Sequence, residues 1–386
     1  MIDDPDVAVD LFFLLHWTLA IGFGLRVIMR RRAVGVSLAW LTLICLVPVF
    51  GSIVYFIFGE IHLGRNRTEN AALVIQPYKQ WINERRQRFE LDWTNRAEAS
   101  VPLSRQAYTA VNLPTLPGND LELLDNCQEI LRRIIDDVQQ ATQRIHMEFY
   151  IWHLGGLADE VMAAVIEASK RGVHCRILLD SIGSHDFLKS GLCKKARAAG
   201  VDIAEALPVR WLKSFYRRQD LRLHRKIVVI DGDLAYTGSL NLVDSRYFKA
   251  KSGVGQWVDS MVRVQGPVVE ALAVVFLADW SVETGMGIDR IKTEGGLKEL
   301  DPVGNAYVQV VPSGPGFFNK SSYQSILTAI YLAKKELVLT TPYFVPDEAV
   351  QIALISAVMR GVDVTLIMPK KVDSKLVHHA SRAYFE

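Results

Sequence analysis

The chain has 386 residues with 44 Lys+Arg against 42 Asp+Glu, a formal charge of +2, and half of its residues are hydrophobic. Such a length and apolar content suit two or three units with a sizeable core. Four cysteines are too few for a disulfide scaffold, and the near-neutral balance gives nucleic-acid binding no bulk electrostatic support. A mean hydropathy of +0.15 is high for a soluble enzyme and directs attention to membrane segments.

Two such segments open the chain. Val7 to Met29 is apolar apart from Asp10, His16 and Arg26, and after Arg30-Arg31-Arg32 the run from Ala33 to Phe58 carries no charge. Each exceeds the ~20 residues that a helix needs to cross the hydrocarbon layer. Together they predict a two-pass hairpin within residues 1–60, with Pro48 and Gly51 tolerated in lipid. A cleaved signal peptide followed by a core helix is the alternative. Asp3, Asp4 and Asp6 at the start oppose it, because signal peptides begin with basic residues. Arginines crowd the turn of the hairpin, so the positive-inside rule places the turn in the cytoplasm and the rest of the chain on the outer face. Cys127, Cys175 and Cys193 pull the other way, since oxidising compartments disfavour free thiols.

Residues 61–117 read as a juxtamembrane linker, charged and irregular from Thr68 onward, either solvated or resting on anionic headgroups. After Pro117-Gly118 the pattern becomes regular. Ile130, Leu131, Ile134, Ile135 and Val138 recur at helical spacing, and Ile145, Met147, Phe149 and Ile151 alternate as in a strand. Ala158 to Arg171 reads as a helix stopped by Gly172, and Val173, Cys175, Ile177 and Leu179 form a second strand ending at Asp180. Strand, helix and strand in this order make a βαβ unit, so the fold class is α/β. The same sentence returns as the strand Leu337-Val-Leu-Thr-Thr, a helix to Met359-Arg360-Gly361-Val362, and Leu366-Ile367-Met368. The expectation is therefore two repeated α/β halves, 118–290 and 291–386, with the second incomplete because the chain stops inside a helical pattern.

The chemistry concentrates in Leu223-His224-Arg225-Lys226-Ile227-Val228-Val229-Ile230-Asp231, a His-x-Lys-x4-Asp pattern followed by Gly238-Ser239-Leu240-Asn241. On a strand His224 and Lys226 share one face. An imidazole can attack phosphorus, and ammonium, hydroxyl and amide donors can hold the nonbridging oxygens. Asp259 is the candidate carboxylate to orient the imidazole. The bland alternative is a solvated salt-bridge cluster at a strand end. Before the motif, Lys213, Arg217, Arg218 and Arg222 interleave with Trp211, Phe215 and Tyr216. Such a loop could grip an anionic lipid headgroup, or single-stranded nucleic acid, or lie plainly in solvent; a nearby membrane hairpin favours lipid.

These motifs resemble the phospholipase D superfamily. The hairpin ending in Phe58-Gly59, with Thr340-Thr-Pro-Tyr-Phe-Val-Pro346, is similar to the bacterial cardiolipin synthases within it. The resemblance implies a phospholipase D-like fold and a metal- and cofactor-free phosphatidyl transfer, in which two phosphatidylglycerols give cardiolipin and glycerol. It matches His224 to the reacting imidazole, Lys226 to the phosphate-binding ammonium and Asp231 to the third member of the catalytic motif, with a role as much structural as catalytic. Ser239 and Asn241 match phosphate contacts, and Asp259 the orienting carboxylate of the Trp257-Val-Asp259 … Gly266-Pro267 block. Glu148 falls where such proteins often carry an acidic residue, although a solvent-facing Glu reads equally well. Family members bring two His-x-Lys-x4-Asp motifs to one site, and this chain holds one. His378-His379 has no Lys two residues on. The expected partners are phosphatidylglycerol and other anionic phospholipids and the membrane, with no nucleic acid, and the chain is expected to be impaired unless two copies pair their single motifs in a homodimer. A membrane-tethered phosphodiesterase and a catalytically incomplete scaffold are the alternatives.

Overall fold

The computed structural model describes residues 5–30, 34–59, 88–89, 91–208, 222–250, 253–287, 290, 293–314, 321–372 and 374–385. They fall into two units, the N-terminal helices up to residue 59 and the body from residue 88 onward. Lys213, Arg217 and Arg218 lie outside the described residues.

In the N-terminal unit, α1 (Pro5–Met29) is the one described helix long and apolar enough to cross a bilayer, from Val9 to Met29. The second apolar run is not one helix. It divides into α2 (Val34–Leu46) and α3 (Phe50–Phe58). The division falls at Pro48, which has no N–H and clashes with the preceding turn; Val49 takes a left-handed φ of 59° and directs its N–H to His16 Nδ1 at 3.3 Å. Ala20, Val27, Ile44 and Tyr55 form a small buried cluster that packs the three helices together.

The body begins with α4 (Ser100–Val111) and β1 (Leu116–Leu124), so the stretch read as an irregular linker contains a three-turn helix and the start of a strand. Then follow α5 (Cys127–Gln140), β2 (Arg144–Phe149), α6 (Leu157–Lys170), β3 (His174–Asp180), α7 (His185–Lys189), α8 (Gly191–Ala198) and β4 (Asp202–Ala206). After them come β5 (Ile227–Ile230), β6 (Leu234–Gly238), β7 (Met261–Gln265), α9 (Val268–Thr284) and β8 (Ala306–Val308). The strands form an eight-stranded sheet in the order β4-β3-β2-β5-β6-β7-β1-β8. Its β2, β3 and β4 are parallel and the rest antiparallel.

The alternation of β2 shows how the sheet is covered on both faces. Ile145, Met147 and Phe149 enter a core with α5 and α6, whereas His146 lies on the opposite face, stacked on Phe276 of α9 at 4.6 Å. Helix α9 is mostly apolar and almost wholly buried, with Glu270 and Asp279 bonded to the Leu300 N–H and to Arg225, as befits a core rather than a surface helix. Asn126 caps α5 by accepting from the N–H groups of Gln128 and Glu129.

Beyond the sheet lie α10 (Ser321–Leu332), β9 (Glu336–Thr340), α11 (Glu348–Met359), β10 (Asp363–Ile367) and α12 (Lys375–Arg382). β9 and β10 pair in parallel, as β2 and β3 do. The sequence echo is also an echo in hydrogen bonds. At the end of α6 the Val173 N–H meets Ala168 O at 3.1 Å, with Gly172 at φ 93°. At the end of α11 the Val362 N–H meets Ala357 O at 3.1 Å, with Gly361 at φ 82°. Both Arg-Gly-Val triplets thus close a helix by the same left-handed turn and start the next strand.

Candidate active site

His224 stands exposed on the loop that leads into β5, three residues before its first strand residue. Two contacts position it. The Tyr150 ring, just past the end of β2, stacks on the imidazole with centroids 4.1 Å apart and planes 20° from parallel. The backbone ahead of it is held by Asp180, the fully buried last residue of β3. One Asp180 oxygen accepts from Arg222 Nε (3.1 Å) and Nη2 (2.8 Å) and from the N–H groups of Ile182 and Gly183, both at 3.0 Å. The other accepts from the Leu223 N–H at 3.1 Å. Arg222 is therefore taken up by an internal ion pair, which corrects its reading as a headgroup-binding cation.

Lys226 Nζ donates to the carbonyl of His224 at 2.6 Å and lies 6.0 Å above the Tyr150 ring. Burial lowers its pKa, while the carboxylates of Asp259 and Glu148 pull it back up. Burial also lowers the His224 pKa, and the Lys226 ammonium adds to the effect. The His224 shift favours an unprotonated imidazole at neutral pH, the form that can act as a nucleophile.

Ser239 Oγ donates to Asp259 Oδ1 at 2.7 Å and accepts from the Ser260 N–H at 3.1 Å, which places it opposite Asp259 across the start of β7. Among the described residues Asp259 makes no hydrogen bond to His224; the imidazole is oriented by the Tyr150 ring. Asn241 is buried, and its Oδ1 accepts from the Ile151 N–H at 3.1 Å, so its amide ties the loop after β6 to the end of β2.

Glu148 is not a solvent-facing residue. It is fully buried on β2, and burial, then the neighbouring Asp279 carboxylate, raises its pKa well above the ordinary range. Arg225 Nη1 bonds Asp279 of α9, lies 3.8 Å from Glu148, and its Nη2 donates to Ser313 O at 3.1 Å. This side chain anchors the His224 loop to α9.

Asp231 is set apart from these groups, at the far end of β5. It has a left-handed φ of 51° and accepts from Thr142 N (2.8 Å), Thr142 Oγ1 (2.9 Å), Gln143 N (2.8 Å) and Arg144 N (2.8 Å). Burial pushes its carboxyl up, but the N–H groups of Arg144, Thr142 and Gln143 outweigh that and hold it below the usual range. The motif spacing groups Asp231 with His224, and the geometry instead gives it the turn between α5 and β2.

Tyr150 and Asp180 escape a motif search, yet each left a signal. Tyr150 follows Glu148 by two residues, on the same face of an extended chain. Asp180 is a lone carboxylate closing an apolar parallel strand, and the carboxyl ends of such strands are where α/β sheets gather their sites.

Comparison with known proteins bears on what this arrangement belongs to. Residues 134–280 and 326–386 match the family described as cardiolipin synthase, PLD-like domain, and residues 18–60 match a phospholipase D-nuclease N-terminal family. Cardiolipin synthase A of Yersinia pseudotuberculosis serotype IB (strain PB1/+) is 42% identical over 370 residues, covering 96% of this chain and 76% of the relative. The cardiolipin synthase A of Yersinia pestis shows the same identity and coverage. Among solved structures, the phosphatidylserine synthase of Haemophilus influenzae Rd KW20 aligns with a TM-score of 0.47 and 16% identity, over 69% of this chain and 66% of its own. Nuc, a phospholipase D family member from Salmonella typhimurium, aligns with a TM-score of 0.31 and 16% identity, over 42% of this chain and 95% of its own. By its family match and its identity to these curated relatives, the chain belongs to the phospholipase D-like cardiolipin synthase family.

Proposed function

We propose that the chain makes cardiolipin by phosphatidyl transfer between two phosphatidylglycerol molecules, with His224 as the nucleophile. An imidazole nitrogen attacks phosphorus, the P–O bond to the departing glycerol breaks, and that oxygen takes a proton. The primary hydroxyl of a second phosphatidylglycerol then attacks the phosphohistidine, forming a P–O bond, breaking P–N and losing its proton. Splitting the transfer in this way replaces one difficult displacement by two easier ones. Lys226, with Ser239, stabilises the charge on the nonbridging oxygens. Asn241 is a supporting group that holds the loop beside them, and Asp231 is assigned a structural task.

The observation that carries the reading is the exposed His224 ring, stacked on Tyr150 beside the ammonium of Lys226. The chain contains one His-x-Lys-x4-Asp motif, and the departing glycerol needs an acid. A second imidazole brought to the same site serves as that acid, and pairing with a second copy is one way to bring it there. The N-terminal helices anchor the enzyme in two passes with the body on the outer face, as the arginines at their turn favour.

The test uses phosphatidylglycerol in mixed micelles, with cardiolipin and glycerol followed by mass spectrometry. The chain should yield both products in equal amounts, and His224→Ala neither. Phosphatidic acid in place of cardiolipin would make water the acceptor and the enzyme a phosphodiesterase. Equal rates from a strictly monomeric preparation would exclude the paired site.

A further inference from the structure

A cleft of about 570 Å³ opens beside His224, within the ~300–1,000 Å³ range of small-molecule sites. Its mouth is formed by residues 222–226, and its walls by the sheet, α9 and the segment Val308–Gly314. Among the described residues three cations line the cleft here, and two of them are already neutralised, Arg222 by Asp180 and Arg225 by Asp279. Lys226 is the cation left beside the imidazole. Behind it the walls are hydrocarbon: Ile227 and Val262 from the sheet, Leu272 and Val275 from α9, Val310 and Val311 from the closing segment.

The interior carries few polar groups: the Thr237 hydroxyl, the Gln309 amide and Ser313, the last two largely taken up within the protein. Gln309 Nε2 donates to the carbonyls of Ser104 and Leu113, and the Ser313 carbonyl accepts from Arg225. A nucleobase or sugar pushed into this space would lose its water and find little to bond, a cost that hydrocarbon does not bear. A cationic mouth at the reacting imidazole and an apolar interior together fit an amphiphile with an anionic head.

The geometry points to this cleft as the site for an acyl chain of the phospholipid whose phosphate sits at His224. The inference rests on the phosphatidyl-transfer reading and deepens it: the chain in the cleft holds the phosphodiester against the imidazole. Since each buried methylene contributes about 0.8 kcal/mol, blocking even two of them lowers occupancy by more than tenfold.

The experiment photolabels the full chain in mixed micelles with phosphatidylglycerol carrying a diazirine midway along one acyl chain. The label is mapped by peptide mass spectrometry, and cardiolipin is assayed in parallel without irradiation. The label should fall on residues 268–275 or 308–311, be displaced by unlabelled phosphatidylglycerol, and drop at least tenfold in Leu272→Trp. Leu272→Ala, which widens the space, should keep the label and shows that altering the position does not itself remove it. Cardiolipin formation with label confined to α1–α3 or to the protein exterior overturns the inference and leaves the transfer reading standing. Label in the cleft without cardiolipin supports lipid binding there and overturns the transfer reading instead. Undiminished labelling in a folded Leu272→Trp chain also overturns the cleft.

Discussion

Replacing Asp231 separates a structural from a catalytic task for the third member of the motif. Its carboxylate accepts four hydrogen bonds of 2.8–2.9 Å, three of them from consecutive backbone N–H groups. Bonds to charged acceptors contribute about 1.5–3 kcal/mol each, but these donors lie near the surface, where water replaces part of each; about 1 kcal/mol apiece is the fitting scale. Asp231→Ala also puts an alanine at φ 51°, which costs about 1 kcal/mol more. The expected loss is then about 5 kcal/mol, or roughly 10–20 °C in Tm for a body of this size. Asp231→Asn tolerates the left-handed backbone and keeps one oxygen acceptor, so it should lose about 2 kcal/mol. Melting in detergent, with phosphatidyl transfer measured on the same samples well below the lower Tm, reads both quantities. Each variant should transfer at close to the parent rate per folded molecule. An Asp231→Asn chain that melts with the parent yet transfers about a hundredfold more slowly would return Asp231 to the chemistry.

Tyr150 predicts a different pattern. An aromatic stack contributes about 0.5–1.5 kcal/mol, so Tyr150→Leu should slow single-turnover labelling of His224 roughly three- to tenfold, whereas Tyr150→Phe keeps the stack and the rate. Equal losses in the two would assign the effect to the hydroxyl. Asp180→Ala leaves the Arg222 guanidinium without its buried counter-charge and should cost about 3–5 kcal/mol, seen as a lowered Tm together with lost transfer. An unchanged Tm would show that the clamp is dispensable. For His146, burial foremost and then the Arg176 and Arg144 cations bring the pKa from 6.5 to about 3. Between those values the unfolded chain binds a proton that the folded chain refuses. Stability from this group is therefore full above pH 6.5 and falls as the pH drops toward 3, by up to about 5 kcal/mol. His146→Phe should flatten that part of the pH profile, and an unchanged slope would place the acid sensitivity elsewhere.

The regular elements of the body were legible because their partners are close in sequence. Strands β2 and β3 and helices α5 and α6 each carry an apolar pattern that reports its own burial, whereas β9, β10 and α11 repeat the pattern with most of their apolar side chains half-buried or exposed. The break at Pro48 was harder to read. A proline in a lipid-facing run is compatible with a continuous kinked helix or with two helices, and the N–H of Val49 finds its acceptor in His16, 33 residues earlier. Helix α4 was missed for the opposite reason. Ser100-Val-Pro opens it with weak helix formers, and its buried face is only Ala107 and Val111.

At the site, the chemistry-bearing types were legible and their division of labour was not. A motif records which residues recur together along the chain, but β5 carries His224 at one end and Asp231 beyond the other, and opposite ends of a strand serve different neighbours. Asp231 serves the α5–β2 turn because its carboxylate faces three N–H groups that the turn leaves open. The groups that do position His224 come from β2 and β3, 74 and 44 residues away, and neither belongs to a pattern with it. The same holds for Arg222: as one of four cations in an aromatic-rich loop it resembles a headgroup ligand, and only the burial of Asp180 shows that its charge is already met. Where a sheet gathers its site at strand ends, the residue before and after each strand carries more positional information than the motif inside it. A sequence reading that examined those flanks for unpaired carboxylates and rings would have found Asp180 and Tyr150 together.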